Sequence, residues 1–191
     1  MVVNFMVGCE HCESKEAKVH LKQENTTLHL CTNCYNELMA EELEVDLDQL
    51  IETFSIKDGQ GVSRTFEVER RIHPVGIYLE AAENLEFGYK FAVHGELNSN
   101  QQELLNKLIE KVRKGIREQH VKTNVLNGHA FHTLISDQLK GFIEYDETSE
   151  DTPLVMIDGK PFSWDEVGKM LKSFEGFQIK IEMVDMSDDL E

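Results

Sequence analysis

Positive charge is what this chain has least of. Against 36 aspartates and glutamates stand only 19 lysines and arginines, a formal net charge of −17 over 191 residues. A surface this acidic repels phosphate backbones and anionic lipid heads, which argues against nucleic acid or a membrane as the main partner. No apolar run approaches the ~20 residues that a spanning helix needs. Residues 1–8 carry no basic side chain and too short an apolar stretch for a secretory signal, so the expected location is the cytoplasm. The phosphate-cradling pattern G-x-x-x-x-G-K-[ST] and the nucleophile elbow G-x-S-x-G occur nowhere, and no internal repeat is visible. Carboxylates are so evenly spread that no pair stands out as an acid/base couple. No residue is therefore assigned a catalytic role, and a non-enzymatic protein is the leading expectation.

Cysteine is scarce too, and concentrated. The four are Cys9, Cys12, Cys31 and Cys34, and none follows. Their spacing is C-x2-C, eighteen residues, C-x2-C. In a reducing compartment such pairs bind metal more often than they form disulfides. A CxxC at a tight turn puts two thiolates on one side of the chain, and two such knuckles supply the four tetrahedral corners that zinc wants. Between the pairs, Val19 and Leu21 alternate with His20 and Lys22, then Leu28 and Leu30 with His29. That is the period of a two-strand ribbon, which brings the knuckles together. A thioredoxin-like site would need one CxxC at a strand-to-helix junction instead. The expectation is one structural Zn2+ per chain held by the four cysteines. A closed thiolate shell leaves no position for catalysis. Iron stays open as the alternative, since four cysteines also suit an iron–sulfur or rubredoxin-type site.

The rest of the chain has a hydrophobic content sufficient for a packed core, 40% overall. The stretch "YNELMAEELEVDLDQLIETF" reads as helix, in one piece or two, broken at Gly59 and Gly61. "RTFEVERR", "VGIYLEA", "YKFAVHG", "FIEY" and "LVMI" read as strands. Residues 101–119 read as a helix with the stripe Leu104, Leu105, Leu108, Ile109, Val112 and Ile116. Asp158-Gly159 is a turn, and Ser163 with Glu166 makes a capping box ahead of Trp164, Val167, Leu171 and Phe174. After Gly176, the alternation of Phe177, Ile179, Ile181 and Met183 reads as a strand. The expected fold is α+β: a four-cysteine zinc-ribbon or treble-clef module over 1–43, a helical linker over 44–61, an α+β domain over 62–186 with a mixed or antiparallel sheet and two main helices, and an acidic tail over 187–191.

The segment "CEHC…AKVHL…LHLCTNCYNEL" resembles the zinc-binding N-terminal module of McsA-type proteins, partners of bacterial protein-arginine kinases. Its eighteen-residue gap and "LCTNC" followed by a helix are also similar to the zinc-binding domain of the ClpX unfoldase. The resemblance covers about 35 residues. It implies a treble-clef arrangement with Cys9, Cys12, Cys31 and Cys34 as ligands, and a role in protein recognition or dimer formation. The chain departs from both families: it has no AAA+ nucleotide loop and no clear paired-helix UVR segment.

Local charge agrees with a protein partner. Residues 1–43 hold three basic side chains (Lys15, Lys18, Lys22) and seven glutamates, and four thiolates on Zn2+ add about −2. A knuckle that grips nucleic acid would be basic and carry stacking aromatics. Other candidates have ordinary readings. His20 and His29 face each other across the ribbon if the strands pair about Glu24–Asn25, as a second metal site or pH sensor, or simply as exposed histidines. His11 offers itself as a substitute ligand, though four thiols make it superfluous. "HVKTNVLNGHAFH" holds His120, His129 and His132, with Asp137 the nearest carboxylate, but no convincing third ligand. Lys107, Lys111, Arg113, Lys114 and Arg117 make 101–119 the one basic element. Trp164 is a core anchor or a partner-facing aromatic. The leading reading is an adaptor or regulatory protein that binds other proteins, in a bacterial proteolytic or stress-response system, with a homodimer compatible. The alternatives are an enzyme with a site in 62–186, drawing on His94, His129 and His132, and a nucleic-acid accessory protein using the basic helix 101–119.

Overall fold

A computed structural model describes residues 7–23, 26–149 and 151–189. The chain is α+β, with three α-helices and four antiparallel sheets among the described residues. β1 (Val19–Gln23) and β2 (Thr26–Leu30) form the expected ribbon, and α1 (Thr32–Glu42) follows directly. β3 (Thr53–Lys57), β4 (Ser63–His73), β5 (Gly76–Glu83) and β6 (Lys90–Gly95) make a four-stranded meander in chain order. α2 (Gln101–Gly115) lies across it. β7 (Val121–Leu126) and β8 (His129–Leu134) form a separate hairpin. β9 (Phe142–Glu144), β10 (Leu154–Ile157) and β11 (Lys160–Phe162) form a small sheet, closed by α3 (Trp164–Leu171).

The main core follows from the alternation and the helical stripe. One face of the meander supplies Phe66, Ile77 and Leu79, and α2 supplies Leu104, Leu105, Leu108 and Val112, all buried. Full burial of each such side chain stabilises by about 1.5–3 kcal/mol. α2 starts where Asn100 accepts a hydrogen bond from Glu103 N (3.0 Å) and ends with Arg113 and Lys114 near its negative pole. Gly115 allows the closest approach of helix to sheet: a Cβ there would stand 2.2 Å from Phe91 Cε1. In the same sheet, Arg64 of β4 ties β5 to the connections on either side of the β4–β5 pair. Its guanidinium meets Asp58 and Glu83, each at 2.9 Å, and lies over the Tyr89 ring.

Three expectations need correction. The helical linker over 44–61 is not there: α1 stops at Glu42, residues 45–51 have no regular structure, and Thr53–Lys57 is strand β3. Phe54 and Ile56 alternate toward the main core, so tertiary packing overrides the helix-favouring composition. The strand expected over 177–183 is also missing. Phe177, Ile179, Ile181 and Met183 are 65–72% exposed and pair with no strand among the described residues. Trp164 is not a core anchor but 42% exposed, while α3 buries Val167 and Met170. The histidine-rich stretch is the β7–β8 hairpin, turned by Asn127 and Gly128, both at positive φ (52° and 79°). Asn-Gly between alternating residues is a strong hairpin signal.

Candidate metal centre

Each cysteine is placed by local backbone. Cys9 and Cys12 flank a tight turn in which Glu13 N donates to Cys9 O (2.9 Å) and Cys9 N to Lys15 O (2.8 Å). Cys31 directly follows β2 and is the N-cap of α1, with an extended backbone and no side-chain capping bond; Cys34 follows in the first helical turn. The β1–β2 register, with Val19 opposite Leu30, folds the two pairs onto each other.

The result is a cluster in which the four sulfurs all lie within 4.8 Å of one another. None is disulfide-bonded. Sulfurs held 2.3 Å from a tetrahedral centre stand about 3.8 Å apart, and Cys12 Sγ to Cys31 Sγ is 3.8 Å. Cys9, Cys31 and Cys34 are buried with Leu30, against Leu21, Leu28 and Tyr35, while Cys12 sits on the open side. The cluster could hold a metal ion, and the spacing and chemistry of the donors fit Zn2+.

Protonation is polarised across the cluster. Hydrogen bonds from Ser14, side chain first and backbone second, bring the Cys12 thiol down to about 5. Burial opposes ionisation of Cys9, but the N–H groups of Cys12, Cys31 and His11 outweigh it and lower its value. Cys34 is pushed up, first by burial and then by the neighbouring thiols. One thiolate is therefore ready for a cation, and another ionises only when a cation arrives and its proton leaves.

His11 stands beside this cluster. It forms a second group with Cys34 and Glu37, again within 4.8 Å, but shares Cys34 with the four-sulfur set. With four thiols converging, His11 is left outside.

The knuckle is built into the meander rather than tethered to it. β3 reaches only Glu67 of β4, so the edge of β4 beyond that point lacks a strand partner. Asn36 of α1 fills the gap: its Nδ2 donates to Arg70 O (2.6 Å), and its Oδ1 accepts from Ile72 N (3.0 Å). Thr32 Oγ1 donates to Glu69 (2.6 Å), and Met39 and Ala40 pack on Ile72. Sequence patterning missed Asn36 because a polar residue on a helix reads as solvated unless the partner backbone is known.

The other candidates do not converge. His94 and His129 are exposed, and His132 packs edge-on against Phe162. A cleft of about 780 Å³ lies between α2, β9, β10 and the C-terminal segment, and none of these three lines it, although His120 and Trp164 do. Of the basic helix, Lys111 is engaged by the chain's own end: its Nζ donates to Met186 O (3.0 Å) and Asp188 O (2.6 Å). Arg113 pairs with Glu110 one turn away.

Three domain descriptions match successive segments of the chain: a domain of unknown function (DUF7685) over residues 8–46, a second (DUF7686) over 48–117 and a third (DUF7713) over 120–188. The first takes in the cysteine cluster and α1, the second the meander with α2, and the third everything from β7 to the C-terminal segment. No curated protein matches the chain. No solved structure matches it either.

Proposed function

We propose that this chain is a non-enzymatic adaptor, organised at its N-terminus by one structural zinc, that binds other proteins. The observation that carries the reading is the contrast between the cysteine cluster and the C-terminal segment. The cluster has four thiols converging, no fifth donor required and no open position, so its chemistry is to hold a fold. The segment Phe177 to Met183 presents alternate apolar side chains with no strand beside them among the described residues. Contiguous exposed apolar surface of this kind is the usual mark of an interaction site, and an extended chain with period-2 apolar teeth suits strand addition to a partner's sheet edge. The acidic charge favours a basic or neutral protein surface over nucleic acid. The resemblance to McsA-type and ClpX modules would set such an adaptor in a bacterial proteolytic or stress-response system, in the cytoplasm.

Elemental analysis of protein purified without chelator is expected to give one zinc per chain, and a metal-free result would sink the zinc assignment. Affinity capture from the native cell then compares wild type with Cys31→Ser/Cys34→Ser and with Ile179→Lys/Ile181→Lys. Prey lost in the lysine variant supports docking on the C-terminal segment, and prey lost in the serine variant supports a zinc-dependent surface. If no prey depends on either change, the adaptor reading fails.

A further inference from the structure

We propose that His20 and His29 form a second metal site, on the open face of the ribbon, that takes a divalent transition-metal cation of the nickel, copper or zinc class. The two residues are direct cross-strand partners in the β1–β2 register. His29 O accepts from Glu10 N (2.9 Å) and His29 N donates to the Glu10 carboxylate (2.9 Å), so the His29 backbone faces away from β1. His20 and His29 are therefore a non-hydrogen-bonded pair, the geometry in which opposing side chains stand closest. Their rings approach at 4.7 Å between centroids, with Nδ1 to Nδ1 at 2.6 Å, one nitrogen donating and the other accepting.

That hydrogen bond spans the place a cation would take. Two imidazole nitrogens each about 2.1 Å from one ion stand roughly 3.0–3.4 Å apart, so the rings need to part by less than about 1 Å. Imidazole donors suit nickel, copper and zinc, with water completing the shell on the solvent side. Glu10 fixes the backbone of one ligand and the ribbon fixes the register of both, so little ordering remains to be done on binding. The pair is separate from the four-thiolate cluster, and the inference does not depend on what fills that cluster.

The test is calorimetric titration of Ni2+ into the full-length, zinc-treated and desalted protein. One saturable site per chain is expected, with His20→Asn and His29→Asn each weakening it by at least ~100-fold, the loss of a tethered second donor. His129→Asn/His132→Asn should bind as wild type does. Nickel entering the cysteine cluster would show sulfur-to-nickel charge-transfer absorption, which imidazole ligation lacks, so the two events are read apart. Absence of a saturable site outside the cysteines, or unchanged affinity in both single variants, overturns the proposal.

Discussion

The knuckle and the C-terminal unit are both too small to hold much of a core, and they answer that shortage differently. From Gly8 to Glu42, the buried apolar side chains around the cysteines amount to little more than Leu30 and the half-buried Leu21, Leu28 and Tyr35. From β7 to α3, Val155, Ile157, Phe162, Val167 and Met170 close a cluster of their own, with Val121, Leu134 and Leu139 around it. Modules of about 40 residues generally need a metal, disulfides or a partner. The first unit meets that need with four sulfurs at one point. The second uses ordinary burial, and it leaves its final apolar run uncovered. Sulfur chemistry needs few residues at its centre and leaves α1 free to engage β4 through Thr32, Asn36, Met39 and Ala40; apolar burial takes more residues and here stops short of using them all.

Chelation should break the comparison most sharply. Structural zinc supplies roughly 10–16 kcal/mol of apparent binding free energy in isolated fingers. Removing the metal is expected to erase amide protection in β1, β2 and α1 while β10 and α3 keep theirs, as read by hydrogen exchange. Acid should do the same. The Cys12 thiol is lowered from 9.0 to about 5, so what its thiolate contributes is complete above pH 9.0 and is lost as the pH falls through about 5. Metal content measured across that window should fall with decreasing pH. If α3 loses protection together with α1, the two units are not independently held.

Met170→Ala tests the other side. A fully buried methionine cut back to alanine costs about 2–5 kcal/mol, and thermal unfolding should show it as a loss confined to residues 120–174, with metal stoichiometry unchanged. Loss of metal in this variant would contradict the division. The smallest effect is expected of Ser163→Ala. Ser163 Oγ accepts from Glu166 N (3.3 Å), and Ser163 N donates to the Glu166 carboxylate (2.8 Å). Removing the hydroxyl should cost about 1 kcal/mol, seen as a small drop in the unfolding midpoint.

Legibility in the sequence tracked how local the cause was. The ribbon, the capping box at Ser163 and the stripe of α2 depend on neighbours a few residues away, and each was readable. The clustering of the cysteines was readable because spacing and ribbon register are local as well. Phe54 and Ile56 misled because helical composition around them yields to a strand partner, β4, that lies beyond a turn. The run Phe177 to Met183 misled for the opposite reason: it has the period of a strand, but period does not provide a neighbour. Asn36 was invisible because its role is defined by the end of β3, which no pattern in α1 reports.

That carboxamide has one more consequence. β4 is eleven residues long and β3 only five, so the upper part of β4 would present a bare row of peptide groups to any passing chain. Unshielded strand edges of this kind are templates for self-association. Asn36 and the body of α1 shield it, and α1 is held in place from its first turn by the cysteines. On the proposed zinc site, guarding a sheet edge against its own copies falls to a cation whose ligand Cys34 stands two residues before Asn36, about 3 Å of helix rise, and a protein stripped of that cation should begin to scatter light before its main core has melted.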